Sequence, residues 1–402
     1  MSRWTLACLV VAASCTTGDP EAFWAAMAAA DPATARAAAP DAAARRCADA
    51  LARALTEGTS TAADELVAIG ATATEPAQRE WACRLLLHGL RHEGAWPRLA
   101  SLASDHPALG LSADAVAPAL RALPAAVVTA PTATVRLAWC QHATGLPIVA
   151  AHLVGTRAAL DVPVVLDTAA GLTVVDESLA GQLGARRVGE TPLSLFGWQG
   201  ERPARTAVLP ELRLGQLVAR DVAIAVVDDR VLQEVGTGLR ALVGWEVLRH
   251  AALELAPGRA EIGVGPGRAG RDPAPTNLVS LTEPMLRLAS NGRPLLLLLD
   301  TGSSFTQVET RLVDRLGLAT SAGPRETVRG IGGSHDVDSI RIAKLPLRVG
   351  GTEFELADVP AFALGPVPPG LPRPDGVLGM DVLAAFTVVI DGPAKTVALR
   401  AR

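Results

Sequence analysis

Tyrosine is absent from the 402 residues, lysine occurs only at Lys344 and Lys395, and aromatic side chains amount to 3%. Basic charge is not in surplus either. Lys+Arg number 37 against 41 Asp+Glu, a formal charge of −4. Nucleic-acid backbones need clustered, surplus cations, so that class is excluded. The preference for arginine and alanine reads as codon bias in a GC-rich genome rather than as a binding surface. No uninterrupted run of 18 apolar residues exists, which excludes a long spanning helix. There is no Gly-x-Ser-x-Gly nucleophile elbow and no His-Glu-x-x-His zinc motif. The nearest approach to the latter, His88-Gly89-Leu90-Arg91-His92, has its two histidines at i, i+4 but no glutamate between them. It reads as solvated helix histidines.

At about 100–200 residues per domain, the length predicts two or three domains. The first residues, Met1 to Cys15, carry one positive charge, a short apolar run and small residues before Cys15. That layout predicts an export signal over 1–15, of lipoprotein type with Cys15 acylated, or else a plain signal peptide cut nearby. Export to the cell envelope of a bacterium follows, with the membrane reached by the lipid anchor only. An oxidising compartment permits one disulfide among Cys47, Cys83 and Cys140.

Residues 19–126 are alanine-rich with a helical period, an α-helical domain. Asp41 can cap a helix that Gly58 ends, and Thr74-Glu75-Pro76 opens another, with the threonine as cap. Setting Cys47 on Cys83 also aligns Leu51 with Leu87, Glu57 with Glu93 and Gly58 with Gly94. A 36-residue offset suits stacked helical hairpins and makes a Cys47–Cys83 bridge conceivable. Beyond Pro124 short β-branched and leucine runs alternate with Gly, Pro and Asp, the texture of strands and turns. A Gly/Pro-rich linker over 266–276 divides this β region into 130–265 and 277–402.

These two segments are copies of one another. Val165-Leu166-Asp167-Thr168-Ala169-Ala170 matches Leu298-Leu299-Asp300-Thr301-Gly302-Ser303. From each aspartate, 17 residues lead to a Leu-Gly pair at Gly184 and Gly317, and 30 lead to a glycine-rich turn at Gly197 and Gly330. Gly244, in Leu242-Val243-Gly244, lies 77 residues after Asp167, and Gly379, in Val377-Leu378-Gly379, lies 79 after Asp300. Four landmarks in register mark a duplication.

The hydrophobic strand entering Asp-Thr-Gly-Ser, the glycine-rich flap and the later hydrophobic-hydrophobic-Gly segment resemble the retropepsin-like aspartic peptidases. The resemblance covers about 146–402 and none of the helical region. It implies a mainly β fold of two tandem acid-protease lobes preceded by the α-helical domain, with Asp167 and Asp300 as the catalytic pair. Two carboxyls about 3 Å apart share one proton, so that one can take a proton from water while the other hydrogen-bonds the substrate carbonyl. Neither cofactor nor metal is needed. The expected product is an aspartic endopeptidase acting on an extended polypeptide, with one chain sufficient for the site.

The resemblance further implies that Thr168 and Thr301 cross-link the two loops, that Gly302 permits a tight loop conformation, and that the Ser303 hydroxyl reaches the outer oxygen of Asp300. Gly197 and Trp198 in the first copy, and Gly330, Ile331, Gly332 and Gly333 in the second, are the expected flap and substrate-binding residues. With no tyrosine in the chain, the flap belongs with the glycine-rich retroviral kind. The first loop departs from the pattern. Ala169 stands in place of the glycine, where a methyl group in an unusual backbone conformation would cost about 1 kcal/mol or more and push the loop aside, and Ala170 lacks the serine hydroxyl. This departure favours an alternative reading, an inactive relative that binds peptides or envelope partners. A homodimer using Asp300 halves alone is a third. Asp381 and its counterpart Glu246 read as structural carboxylates at helix starts, and Asp336 and Asp338 as solubilising charges beside the flap.

Overall fold

In the computed structural model the described residues are 18–111, 123–140, 142–189, 193–197, 200–268, 276–331, 333–363 and 370–401. Cys15 therefore lies outside them, as do Trp198 and Gly332.

The amino-terminal part is helical. Helices α1 (Pro20–Ala28), α2 (Pro32–Ala38) and α3 (Ala42–Glu57) each start under an aspartate, Asp19, Asp31 and Asp41, whose side chain accepts from first-turn amides. Gly58, at φ 100°, ends α3, and α4 (Thr59–Thr72) begins at once without a side-chain cap of its own. Its exposed amides are instead met from 34 residues away. Glu93, at the end of α5 (Pro76–His92), accepts from the Thr59 and Ser60 amides and from the Ser60 hydroxyl. Helix α6 (Trp96–Asp105) follows. Thr74 does not cap α5: Glu75 holds the cap position with no side-chain bond, and Pro76 alone, lacking an N–H, opens the helix. Cys47 and Cys83 are both free thiols. Cys83 faces Gly70 of α4, and burial pushes the Cys47 thiol up to about 12.

Each β lobe contains two parallel pairings, and one of them leads to the aspartate. In the first, Ala159–Leu166 runs beside Ala241–Val243 in parallel, Leu242 opposite Val165, with Thr173–Asp176 antiparallel on the far side. In the second, Arg293–Leu299 runs beside Gly376–Leu378, Leu298 opposite Val377, with Gln307–Glu309 on the far side. The ends of these strands that lead to the aspartates, residues 164–166 and 295–299, are covered on both faces, which explains the apolar run there. A separate five-stranded sheet ties the lobes together, since Ala252–Ala256 of the first pairs antiparallel with Phe386–Asp391 of the second, Leu253 opposite Ile390.

The helical region packs against the β lobes and shares one apolar core with them. The Trp81 indole donates to the Gly370 carbonyl at 3.1 Å, the Arg373 amide to the Ala28 carbonyl at 3.1 Å, and Lys395 to the Thr56 carbonyl at 2.9 Å. His92 is not solvated. It is 5% exposed, 3.3 Å from the Ser280 hydroxyl, because this face of α5 docks onto the second lobe. Burial, assisted by Arg249, drives its pKa down to about 3. No group of three or more metal-type side chains gathers among the described residues.

Candidate active site

The two aspartates sit at the ends of the buried strands. The Asp167 amide donates to the Val243 carbonyl at 3.0 Å and the Asp300 amide to the Leu378 carbonyl at 3.2 Å, so each loop is pinned to its parallel neighbour. The next residue of each loop reaches across the lobe boundary. The Thr168 amide donates to the Thr301 hydroxyl at 3.0 Å, and the Thr301 amide to the Thr168 hydroxyl at 3.1 Å. Each hydroxyl then donates to the opposite strand, Thr168 to the Leu299 carbonyl and Thr301 to the Leu166 carbonyl, both at 2.5 Å. Both threonines are at most 1% exposed. The grip joins residues 133 apart in one chain.

Within each loop, backbone amides converge on the carboxylate. Ala169 and Ala170 each donate to Asp167 Oδ1 at 3.0 Å, and Gly302 donates to Asp300 Oδ1 at 2.9 Å. The Ser303 hydroxyl does not reach Asp300; it donates to the Phe305 carbonyl at 2.9 Å. Of Ser303, it is the amide that attends Asp300, beside that of Gly302. The glycine requirement also has a different origin from the expected one. Neither Gly302 nor Ala169 has a positive φ. A Cβ on Gly302 would lie 2.4 Å from Cγ and Oδ2 of Asp167, so glycine is needed there for space. Ala169 keeps its amide on Asp167 despite its methyl group, and the first loop is not displaced.

Burial raises both carboxyls. That of Asp167 rises to about 6, with the Ala170 and Ala169 amides pulling the other way. That of Asp300 rises further, to about 8, because the charge of Asp167 adds to burial. The charge of Asp167 is felt at Asp300, so the pair resists ionising twice.

A second layer supports the loops: Glu246 and Asp381, expected as structural carboxylates, are joined by two threonines that the sequence pattern had not singled out. Thr173 and Thr306, each six residues past its aspartate, bond with their hydroxyls to Glu246 at 2.5 Å and Asp381 at 2.7 Å. The same carboxylates accept from the two threonine amides, at 2.7 and 3.0 Å. Each threonine hydroxyl in turn accepts from the glycine of the later motif, Gly244 at 3.2 Å and Gly379 at 2.9 Å. The shared offset of Thr173 and Thr306 was the signal available to find them.

The expected flap residues that are described, Gly197, Gly330, Ile331 and Gly333, lie on two hairpins. Thr320–Gly330 pairs with Gly333–Val349, closing at Gly330 opposite Gly333. Ile331 at its tip is half-buried against the main core, and lower down Val328 and Val337 pack with Phe305 and Phe362, close to the second loop. Leu193–Gly197 pairs with Gly200–Leu214, closing at Gly197 opposite Gly200. The hairpins approach one another: a Cβ on Gly333 would sit 3.7 Å from the Arg202 guanidinium, itself 2.6 Å from Glu234. Asp336 accepts from the Thr327 hydroxyl at 2.8 Å across its hairpin.

Two lobes contributing one aspartate each, joined by a reciprocal threonine grip, define the acid-protease architecture. Residues 155–247 and 286–382 each match the model of the family described as Aspartyl protease. Each half of the β-rich part thus carries its own match to that family, consistent with two tandem copies. None of the curated proteins matches the chain.

Proposed function

We propose that this protein is an aspartic endopeptidase that hydrolyses an extended polypeptide with water activated between Asp167 and Asp300. The reciprocal grip between Thr168 and Thr301 carries this reading, because it fixes both carboxyl-bearing loops against each other within one chain. The unequal pair suits the chemistry. With Asp300 the more readily protonated, Asp167 takes a proton from the water as its oxygen attacks the peptide carbonyl, while Asp300 donates to the carbonyl oxygen. Collapse of the tetrahedral diol then returns one proton to the leaving amine. The hairpins at Gly197 and Gly330 would lie over a substrate held as a strand. Export, with Cys15 acylated, belongs to the same proposal; radiolabelled palmitate incorporation lost in Cys15→Ala tests it.

The working state holds one proton on the pair, so the rate peaks between the two apparent values, near pH 6 and 8. An optimum below pH 5 would contradict this. In a peptide-library assay, Asp167→Asn and Asp300→Asn should each lower kcat by on the order of 10²–10⁴. Cleavage that survives both substitutions sinks the enzyme reading. Cleavage lost only in Asp300→Asn turns the assignment toward homodimers. Wild-type binding of library peptides with no cleavage would instead select a peptide-binding relative without turnover.

A further inference from the structure

The first lobe carries a charge feature that the catalytic pair does not use. A shallow pocket of about 450 Å3 is lined by Arg157, Arg186, Arg187 and Arg205, with Glu177 as its acidic member. All four arginines are exposed. Only Arg205 has an ionic partner among the described residues, and that partner is Glu177. Among the described residues three guanidinium groups are thus left without a counter-charge, in a chain whose net charge is −4. The site is built rather than incidental. The turn bearing Arg157 is clipped to the end of helix Glu177–Leu183 by the Arg157 amide on the Leu183 carbonyl, 2.9 Å, and by the Thr156 hydroxyl on the Gly184 carbonyl, 2.6 Å. The stem of Arg157 lies over Gly184, whose αL conformation (φ 70°) and missing Cβ make the room.

Arg186 and Arg187 form a short strand paired on one side only, Arg186 with Val208 and Arg187 with Ala207. It is the last strand in its sheet, so among the described residues its other edge is open. An open edge with free backbone groups takes an extended peptide, and side chains alternate from it. The pocket is remote from the reaction. Thr173–Asp176, four residues or roughly 13 Å of strand, separates the catalytic loop from helix Glu177–Leu183.

We propose that this pocket and edge bind an acidic segment of the polypeptide substrate, distant from the scissile bond. The inference rests on the peptidase reading. Arginine matches carboxylates in paired geometry, and Glu177 already shows a carboxylate bound there. The edge strand favours a polypeptide over other anions.

The test uses the full chain carrying Asp300→Asn, so that binding is read without turnover. Two short labelled peptides serve as probes, one alternating Glu and Val and the other Gln and Val, followed by fluorescence anisotropy. The acidic peptide should bind about 10-fold more tightly at low ionic strength, and added salt should erode the difference. Arg186→Gln with Arg187→Gln should abolish it at unchanged Tm; should that Tm fall, Arg157→Gln supplies the same comparison. Equal affinities, or a preference that the substitutions leave intact, overturn the proposal. So does arginine-dependent sedimentation with phosphatidylglycerol vesicles when the peptides show no preference. A wild-type protein that binds the acidic peptide by this pocket and cuts nothing would sink the peptidase reading alone.

Discussion

The first and second lobes execute one plan with different side chains, and the differences fall where symmetry is least needed. Both loops hang from a parallel strand and share the threonine grip, and both rest on a threonine–carboxylate support. Around that frame the lobes diverge. Gly302 stands where the first lobe has Ala169, Asp381 where it has Glu246, and the buried Asp176 takes one arginine, Arg240, where Glu309 takes two, Arg311 and Arg373. A duplicated lobe in one chain is free to lose symmetry, since each copy only has to fit its counterpart. The unequal carboxyls are one result.

The sharpest break of this comparison is Gly302→Ala, which makes the second loop like the first. With its Cβ 2.4 Å from the Asp167 carboxyl, it should reduce kcat/KM by on the order of 10²-fold or more, with Tm lowered as well. Equal tolerance of alanine in both loops would show that the asymmetry carries no steric meaning. Next come Thr168→Val and Thr301→Val. Each leaves a buried carbonyl and a buried amide without their partner, at a cost of about 1–3 kcal/mol. Chemical denaturation should find the two nearly equal, and a strongly one-sided result would place the grip in one lobe.

A smaller effect is expected at Glu246, which burial raises to about 7, against Thr173 bonds that lower it and Asp167 charge that adds to the rise. A carboxyl with a raised folded-state pKa binds more protons folded than unfolded. Its contribution to stability is therefore full below about 4.5 and lost as pH rises through about 7. Glu246→Gln should remove that part of the decline, so the Tm difference between variant and wild type should grow in favour of the variant between those values. A difference independent of pH would contradict the assignment. The smallest change is Ala169→Gly. Because Ala169 has no positive φ and its amide already meets Asp167, activity should move by no more than a few-fold. A gain of 100-fold would show that the methyl group impairs the first loop.

Much of this was legible before any coordinates. The matched spacings from Asp167 and Asp300 announce a duplicated β unit, and Asp41, Pro76 and Gly58 mark helix ends by local chemistry that needs no tertiary context. Other features were not legible. Thr173 meets Glu246 across 73 residues, and Glu93 caps α4 across 34. The His92 side chain looked like a solvated helix position until α5 docked on Ser280. Ser303 was expected on Asp300, yet the short return to the Phe305 carbonyl is available within its own loop and wins.

Sequence alone determined that there are two copies, where each aspartate lies, and that helices precede them, because periodicity, capping and repeat spacing are local or self-comparing properties. Only the tertiary structure decided how the copies meet. The grip between Thr168 and Thr301, the sheet pairing Leu253 with Ile390, and the room that Gly302 leaves for Asp167 are contacts between distant segments. The elevated carboxyls depend on burial produced by those contacts, and burial is a property of the packed chain rather than of any stretch of it.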